Sequence, residues 1–459
     1  KLPVQCSLFY GWNMVASRII FDGGSTDWTI TKLFEKIKSQ IPKKFHEVFL
    51  RKLTKENEDL LLTKATIRKI ETIFEYINFN NIQCIFVSEK SFYNQICLAK
   101  RMKDLNKKSI SVSLSNSRQD DVSDYCEKMY QLNLLEFVYL ISKTSITLFS
   151  QGWLFRSHQV LFIEFLKKNN RHFVDFMDLN SFLFPTVDKK IGFLLKEVWG
   201  GDAIENNNMQ KWCEKKLLSS AERCFFAGSI EHVTALKLNQ KKIQKSYFVN
   251  ISINSDMFVE PIKSVPINKK KFAYAGGFLP IEKRRVPEFF SDAQLVSTIE
   301  PLLKRNPDLS IDVYNNPLLI EKKKYPQIYR HQFCLSKKYK GYNFKYGSDG
   351  KKIRKKLSKY YFGLLLYNID PILFGVEHHK NIIPTTFYLY LEAGIPMIVS
   401  SEFTHLSKIA TKNEIGITCK WHPNIDLNDL TSKVDLSEMR RNIIEYRNKL
   451  KALALKGLD

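Results

Sequence analysis

Short apolar runs rich in β-branched residues alternate with longer stretches of helical spacing along most of this chain. Parallel strands that are buried on both faces give runs of this kind, and they need a crossover helix between neighbours. The alternation therefore predicts parallel α/β layers. The predicted strands lie at residues 18–21, 47–50, 83–88, 109–114, 145–150, 172–176 and 223–227 in the first half, and at 272–275, 309–314, 343–346, 362–366 and 397–400 in the second.

The length of 459 residues suits two domains, each large enough for its own hydrophobic core. The alternation breaks around residues 250–270, which hold two prolines and no sustained periodicity, as an interdomain linker would. We expect Rossmann-like domains at 1–260 and 261–435, and a C-terminal helix within 436–459 that packs back towards the N-terminal lobe. Open parallel sheets bind ligands beyond the carboxyl ends of their strands, so we expect a ligand cleft between two facing lobes.

Composition indicates a globular protein, with 44% hydrophobic and 13% aromatic residues. The longest apolar runs, such as 361–367, fall far short of the roughly 18 residues that would span a bilayer. Eight scattered cysteines without a CxxC pair are typical of buried thiols in a reducing compartment, so we expect a cytoplasmic protein. The sequence begins at Lys1 rather than methionine, so we expect that a preceding segment has been removed.

The formal net charge of +24 favours polyanionic partners, which include nucleic acid, anionic lipid and phosphorylated substrates. A lysine-rich solvated surface explains the same excess without a partner. Two basic stretches, 321–324 and 351–359, stand out, and the second places Ile353 and Leu357 on one helical face. That stretch is either a contact with an anionic membrane surface or a solvated helix packed by its apolar face.

Gly276 and Gly277 follow a predicted strand at the start of the second domain. Glycines at such a strand end allow backbone N–H groups to approach a diphosphate closely. Lys283 and Arg284 follow within ten residues and would neutralise the same phosphates. This segment is the first candidate for binding a phosphorylated ligand.

The segment at 384–401 predicts a loop, a short helix over 386–393, a helix stop at Gly394 and a buried strand. Its G-I-P-M-I-V sequence from Gly394 resembles the G-x-P-V-[IV] signature in the donor-binding lobe of GT-B glycosyltransferases. The preceding P-x-T-F-x-x-Y-L sequence resembles their P-x-K-x-x-[DE]-Y-L pattern. The resemblance implies a helix whose N-terminus faces the phosphates of a nucleotide-sugar donor and whose acidic residue holds the ribose.

On this resemblance we expect donor contacts from Thr385, Thr386, Tyr388 and Glu392. The sequence departs from the pattern at two positions. Thr386 stands where lysine is common, and Leu389 stands where the ribose-binding acid is expected. Glu392 lies three residues further on and is the candidate substitute.

The resemblance extends loosely over residues 18–420 and includes a glycine loop at Gly23 and Gly24, which would face the acceptor. The D-G-G-S-T-D sequence at 22–27 also resembles the loop of GT-A glycosyltransferases. That fold requires a DxD metal motif, and the sequence contains none. We therefore favour two GT-B lobes and a reaction that needs no metal, with basic side chains and a helix N-terminus stabilising the leaving diphosphate.

Catalysis requires a polar group of the N-terminal lobe at the anomeric carbon of the sugar. Asp178 follows the strand at 172–176 and is the first candidate, although an aspartate there would also suit a loop cap. Gly152 and Arg156 follow the strand at 145–150. Arg156 would hold an acidic acceptor or a phosphate, or else form an ordinary salt bridge.

Together these patterns predict a glycosyltransferase that moves a sugar from a nucleotide-sugar co-substrate, with no other cofactor, to a glycan or lipid-linked acceptor. Capsule, lipopolysaccharide and O-antigen glycans are the acceptors that the resemblance implies. The expected location is the cytoplasm, at the inner face of a membrane. Two alternatives stay open: a nucleic-acid-binding protein, and a non-catalytic two-lobed binding protein derived from such an enzyme.

Overall fold

Strands and helices alternate along the chain in the computed structural model, as the sequence pattern predicts. The structure describes residues 39, 41–46, 64–89, 93–114, 122–151, 156–166, 169–176, 203–229, 247–249, 251–261, 270–278, 295–315, 322–348, 350–369 and 376–455. The strands predicted at 18–21 and 47–50 lie outside these residues.

The strands are β1 (Cys84–Ser88), β2 (Ser109–Ser113), β3 (Lys128–Gln131), β4 (Thr147–Ser150), β5 (Arg171–Phe176), β6 (Arg223–Phe226), β7 (Tyr247–Val249), β8 (Lys271–Gly276), β9 (Ser310–Asn315), β10 (Tyr342–Tyr346), β11 (Phe362–Leu365), β12 (Met397–Ser400) and β13 (Gly416–Cys419). The α-helices are α1 (Lys64–Phe79), α2 (Tyr93–Asp104), α3 (Leu134–Lys143), α4 (Arg156–Phe165), α5 (Ala203–Ser220), α6 (Val296–Arg305), α7 (Tyr325–Ile328), α8 (Arg330–Lys338), α9 (Gly350–Leu357), α10 (Val376–Asn381), α11 (Thr385–Ala393), α12 (Thr404–Lys412), α13 (Leu427–Leu430) and α14 (Leu436–Ala454). Short 3₁₀ turns lie at Lys43–Phe45, Ser255–Met257 and Lys322–Lys324.

The described residues divide into two compact units. The first draws on Lys1–Asn180 and Asp202–Phe225, and the second on Ser181–Gly201 and Phe226–Asp459. The predicted domain limits at 260 and 435 stay predictions. Of the stretch predicted as a linker, residues 251–261 and residue 270 are described and belong to the second unit.

The first sheet has the strand order β3-β2-β1-β4-β5-β6-β7. Its neighbours from β3 to β5 pair in parallel, and every residue of β1 and β2 is buried. Phenylalanines from adjacent strands fill the core: the Phe149 ring lies 4.8 Å from Phe86 and 4.9 Å from Phe173. Burial on both faces explains why these strands read as continuous apolar runs in the sequence.

The second sheet has the order β10-β9-β8-β11-β12-β13, and all five neighbouring pairs are parallel. Numbered within this sheet, the order is 3-2-1-4-5-6, the winding of a dinucleotide-binding fold. The direction of winding reverses between β8 and β11. Ligands of such sheets bind outside the carboxyl ends of the strands at this reversal.

Helix α11 packs beneath this reversal and has clear limits. Pro384 precedes its first residue, and Gly394 ends it in the left-handed conformation with φ of 69°. Tyr390 is completely buried, and its ring lies against Gly363 of β11. A Cβ atom at position 363 would come within 2.6 Å of that ring, so glycine is what lets the helix approach the sheet.

Residues 251–261 and helix α14 complete the second unit. Asp435 caps α14 by accepting the N–H groups of Ser437 and Glu438. Arg447 of α14 donates to Val259 O at 2.8 Å, and its guanidinium lies 4.6 Å from the Phe258 ring. The helix predicted within 436–459 is therefore confirmed, and its described contacts anchor the segment that precedes β8. Its packing towards the N-terminal lobe stays a prediction.

Three strands, β3, β7 and β13, were absent from the predictions. β3 and β13 each lie at one end of their sheet, and all residues of both are at least partly exposed. Strands of this kind lack the continuous apolar run on which the prediction relied.

Most of the cysteines that the structure describes are buried, and all of them are free thiols: Cys84, Cys97, Cys213 and Cys224 are buried, Cys126 and Cys419 are half-buried, and Cys334 is exposed. No helix in the described ranges is long and apolar enough to cross a membrane.

Replacing Gly363 by alanine should destabilise the second unit, because the added methyl group meets the fixed Tyr390 ring. Overpacking of this kind costs about 1–3 kcal/mol. The free energy of unfolding from urea titrations measures it. Gly276→Ala is the matched control, since its added Cβ would have no neighbour nearer than 3.7 Å. Equal stability of the two variants would contradict the close packing of α11 on β11.

Candidate functional site

The glycine pair and the start of α11 meet at the carboxyl edge of the second sheet. Thr386 Oγ1 donates to the carbonyl oxygen of Ala275 at 3.1 Å, directly before Gly276. A Cβ atom at Gly276 would lie 3.7 Å from the same hydroxyl. Two segments that the sequence marked separately are therefore adjacent, at the reversal of strand order between β8 and β11.

The N-terminus of α11 is suited to an anion. No side chain of the described residues caps it, and Thr385 and Thr386 are half-buried with part of their surface in solvent. The first N–H groups of a helix have no acceptor within it, and the helix dipole adds positive potential at this end. Phe387 N donates back to Pro384 O at 2.9 Å, which leaves the N–H groups of the two threonines as the donors at this helix end.

The glycine turn is held from its far side by two residues that the sequence analysis did not single out. Asn315, at the end of β9, accepts the N–H of Phe278 at 2.8 Å. The Tyr329 hydroxyl donates to Phe278 O at 2.7 Å. Both residues are buried, so these bonds fix the backbone immediately after Gly277. Gly277 itself is exposed.

The Tyr390 hydroxyl joins three backbone groups beneath the turn. It accepts the N–H of Ala275 at 3.1 Å, and its hydrogen lies within reach of the carbonyl oxygens of Ala273 and Leu364, at 3.0 and 3.1 Å. Burial raises the pKa of Tyr390 well above its ordinary value, so the hydroxyl stays protonated. This contact ties α11 to both strands at the reversal.

Glu392, the candidate substitute for a ribose-binding acid, is completely buried. Arg354 of α9 donates to its Oε2 from Nε at 2.9 Å and from Nη2 at 2.8 Å, and Asn254 N donates to its Oε1 at 2.7 Å. Burial raises the pKa of this carboxyl well above its ordinary value, and the Asn254 N–H and the Arg447 charge oppose that rise. The contact with Arg354 favours the ionised form of the carboxyl. These contacts give Glu392 a structural role, and a contact with a donor would require the ion pair to open.

Tyr388 is also buried, with its ring 5.3 Å from that of Phe387. Of the predicted donor-binding residues, four therefore present accessible surface at one place: Gly276, Gly277, Thr385 and Thr386. Lys283 and Arg284 lie outside the described residues. The donor-binding roles of all these residues stay predictions.

Arg156 is the first residue of α4, which follows the carboxyl end of β4 in the first sheet. It is buried, and its guanidinium lies 4.6 Å from the Phe176 ring. Its Nη1 donates to Gln159 Oε1 at 3.0 Å, and the Gln159 amide in turn donates to Ser150 Oγ at 3.2 Å. Arg156 thus lies at a strand end, as predicted, in a buried polar chain. Asp178, Gly152, Gly23 and Gly24 lie outside the described residues.

The polar chain ends at His172 of β5, whose Nε2 lies 2.7 Å from Ser150 Oγ. Burial lowers the pKa of His172 to about 3, so the ring is neutral near pH 7. Gln151, the residue after β4, is buried, and among the described residues neither atom of its side-chain amide has a hydrogen-bond partner. This edge of the first sheet therefore concentrates polar groups, including an amide that no group in the described ranges satisfies.

Among the residues that the structure describes, no group of three or more histidine, cysteine, aspartate or glutamate side chains could hold a metal ion. The neighbouring His378 and His379 lie in the short helix α10, with ring centroids 5.5 Å apart. Independence from metal stays a prediction.

The sequence matches no protein-family model, and no curated protein matches it significantly. Among solved structures, the chain is similar to sucrose-phosphate synthase from Thermosynechococcus elongatus, with a TM-score of 0.53 and 13% identity over 82% of this chain and 97% of that chain. It is also similar to AviGT4, a glycosyltransferase involved in avilamycin A biosynthesis, with a TM-score of 0.44 and 6% identity over 82% and 99% of the two chains. Both sheets of this chain begin with the strand order 3-2-1-4-5-6, numbered within each sheet. Together with the similarity to the synthase, this winding shows that the chain has the GT-B fold.

Replacing Arg354 by methionine should destabilise the second unit strongly, because Glu392 would be left as a buried, unpaired carboxylate. Removing one partner of a buried ion pair costs about 3–5 kcal/mol. The double variant R354M/E392Q should recover part of this loss. Arg441→Met, which removes an exposed pair with Glu438, is the control and should change urea stability little. Equal effects of the two arginine variants would contradict a supporting role for the buried pair.

Acid should destabilise the first unit through His172. The folded-state pKa is about 3, below the ordinary value, so the unfolded chain binds more protons between pH 3 and 6.5. The stability that comes from the neutral ring is complete above that window and is lost as the pH falls through it. Linkage gives a loss of about 2 kcal/mol between pH 8 and pH 5.

Urea titrations of His172→Gln at pH 8 and pH 5 should show this part of the pH dependence removed. Ser150→Ala retains the histidine and should keep the dependence, although it loses the bond to Nε2. The account fails if the pH dependence of His172→Gln equals that of the unsubstituted protein.

Proposed function

We propose that this chain, whose fold is GT-B, is a glycosyltransferase that moves a sugar from a nucleotide-sugar donor to a glycan acceptor. One observation carries the proposal: the uncapped N-terminus of α11 lies beside Gly276 at the strand-order reversal of the second sheet. Backbone N–H groups, positive helix potential and an exposed glycine turn together suit a diphosphate.

In the proposed reaction the bond between the anomeric carbon and the diphosphate breaks, and the acceptor hydroxyl attacks that carbon. Negative charge develops on the leaving diphosphate. The N–H groups of Thr385 and Thr386 would stabilise this charge, because they are fixed before the reaction and need no reorganisation. Lys283 and Arg284 belong to the same proposal, as does independence from a metal, which is supported by the lack of a DxD motif in the sequence.

The acceptor side belongs to the first unit in this proposal. Asp178 would take the proton of the acceptor hydroxyl, and Arg156 would hold an anionic group of the acceptor. Support comes from the position of Arg156 at the carboxyl end of β4, next to the strand-order reversal between β1 and β4. Cell-surface glycans of the capsule, lipopolysaccharide or O-antigen type are the proposed acceptors, at the inner face of a membrane.

A non-catalytic binding protein with the same fold is the second candidate, and one observation favours it. The acid that would replace the ribose-binding residue is held in a buried ion pair with Arg354. A chain that had lost donor chemistry would retain that pair for stability alone. Donor binding and turnover distinguish the two candidates.

A thermal-shift screen of UDP-, GDP-, CMP- and dTDP-sugars should identify one class that stabilises the protein. A ligand at a hundredfold excess over its Kd adds about 2.7 kcal/mol to the stability of the state that binds it. The same donor, incubated with acceptor, should release its nucleoside diphosphate or monophosphate. Binding without release would favour the non-catalytic candidate, and no shift with any donor would contradict both the enzyme and the donor site.

Gly276→Ala tests the position of the site within this experiment. The added methyl group would lie beside Thr386 Oγ1 without a close protein contact, so the unliganded Tm should not change. Donor affinity should fall about tenfold or more, which corresponds to about 1.4 kcal/mol. Ser437→Ala, at an exposed position of α14, is the control and should bind the donor normally.

A further inference from the structure

The positive charge of this chain is concentrated in one segment. Residues 322–359 contain twelve lysines and two arginines against a single acid, Asp349, which gives +13 of the formal +24. The segment runs from the turn at Lys322–Lys324 through α7, α8 and β10 to the residues after α9. The segment includes β10, which is an outermost strand of the second sheet.

Helix α9 and the residues that follow it carry the densest part of the charge, which we call the basic face. It consists of Lys351, Lys352, Lys355, Lys356 and Lys359, all of them exposed. In the described part of the chain, none of these five lysines forms an ion pair with a carboxylate.

Other lysines of the same chain do have acidic partners. Lys100 pairs with Asp104 on α2, and Lys338 pairs with Glu300 at 2.8 Å. The lysines of the basic face therefore differ from these paired lysines. A lysine-rich solvated surface would not by itself require five neighbouring lysines with no acidic residue among them.

The basic face also opposes the stability of its own helix. Lys351 with Lys355 and Lys352 with Lys356 are like charges at i,i+4 spacing, each pair costing about 0.2–0.5 kcal/mol. Lysines in the first turn oppose the helix dipole, and this turn contains no acid. Buried Ile353 and Leu357 hold the helix in place by packing. A surface that violates the local rules of helix stability is expected where function requires it.

The geometry of the basic face favours an extended anionic surface over a single phosphate group. At about 100° per residue, its lysines spread over an arc of about 140° around the helix, while Ile353, Arg354 and Leu357 occupy the opposite side. Lysine is a point charge that does not form the planar, bidentate contacts of arginine, and the only arginine of α9 is buried with Glu392.

We propose that the basic face binds an anionic lipid membrane through electrostatic attraction. A nucleic acid suits the residues less well, since single-strand binding uses exposed aromatic rings as stacking platforms. The aromatic residues after α9, Tyr360 and Tyr361, are buried. The face holds no exposed apolar side chain to insert among the acyl chains, so binding depends on charge alone. The proposed membrane binding is independent of the proposed transfer reaction, because vesicle binding is measured without turnover.

Sedimentation with phosphatidylcholine vesicles, with and without phosphatidylglycerol, tests the proposal. We expect binding only to the vesicles that contain phosphatidylglycerol. Raising NaCl from about 0.1 M to about 0.5 M should abolish it, because the Debye length falls from about 10 Å to about 4 Å. Binding to pure phosphatidylcholine, or binding insensitive to salt, would overturn an electrostatic membrane contact.

The variant K351E/K352E/K355E/K356E should lose at least about a hundredfold in affinity for phosphatidylglycerol vesicles, because each lysine near such a surface contributes separately to the binding free energy. The control K408E/K412E/K449E/K451E makes the same change in net charge at exposed positions of α12 and α14. It should retain most of the binding. Equal loss in both variants would show a response to net charge, and would overturn the assignment to this face.

Two further measurements complete the test. The matching glutamine variant, K351Q/K352Q/K355Q/K356Q, should fold with an unchanged Tm and still lose most of the binding, which separates the effect from misfolding. Fluorescence anisotropy with a labelled single-stranded oligonucleotide should show no loss of affinity specific to these four lysines. Oligonucleotide binding that depends on them, in the absence of vesicle binding, would assign the face to nucleic acid instead.

Discussion

The hydroxyl of Tyr390 determines where the candidate donor site can form. It contacts Ala273 and Ala275 in β8 and Leu364 in β11, the two strands between which the winding of the second sheet reverses. Its ring fits only because Gly363 has no side chain. Since Tyr390 lies in the second turn of α11, fixing it also fixes the first turn, and Thr386 then reaches the strand end at Ala275. The position of an anion site is thus set from within the core.

Helix α11 divides its residues between this support and the surface. An acid at position 389 would lie on a partly exposed part of the helix, whereas position 392 is rotated by about 300° and displaced by about 4.5 Å away from the N-terminus. That rotation points Glu392 inward, towards Arg354 and the backbone of Asn254. Sequence spacing alone suggested that an acid at either position could serve the same role. Position 392, however, faces these buried partners, whereas position 389 is partly exposed. A carboxylate so deeply placed stabilises the unit only while its partner remains.

Sequence patterns predicted the interior strands and the limits of α11 because those depend on local signals. Continuous apolar runs marked β1, β2 and β12, and Pro384 and Gly394 marked the ends of the helix. The outer strands β3 and β13 were not predicted, because strands whose residues are partly exposed lack a continuous apolar run. The contacts of Tyr390 and Asn315 join residues far apart in the sequence, so no local pattern contains them. The sequence therefore predicted the helix and strands that form the site. The residues that hold these elements together were identified only from the structure.

Helix α9 connects the two features of the second unit that bear on ligands. Arg354 on its inner side pairs with Glu392 of α11, and the lysines on its outer side face solvent. The buried ion pair and the packing of α9 on α11 join the two helices within the core. A membrane held by the outer lysines would therefore also constrain the orientation of the α11 N-terminus. The charge that makes α9 unfavourable as an isolated helix is tolerated because Ile353, Leu357 and the ion pair attach it to the core, and this attachment leaves the lysines available to an external anion.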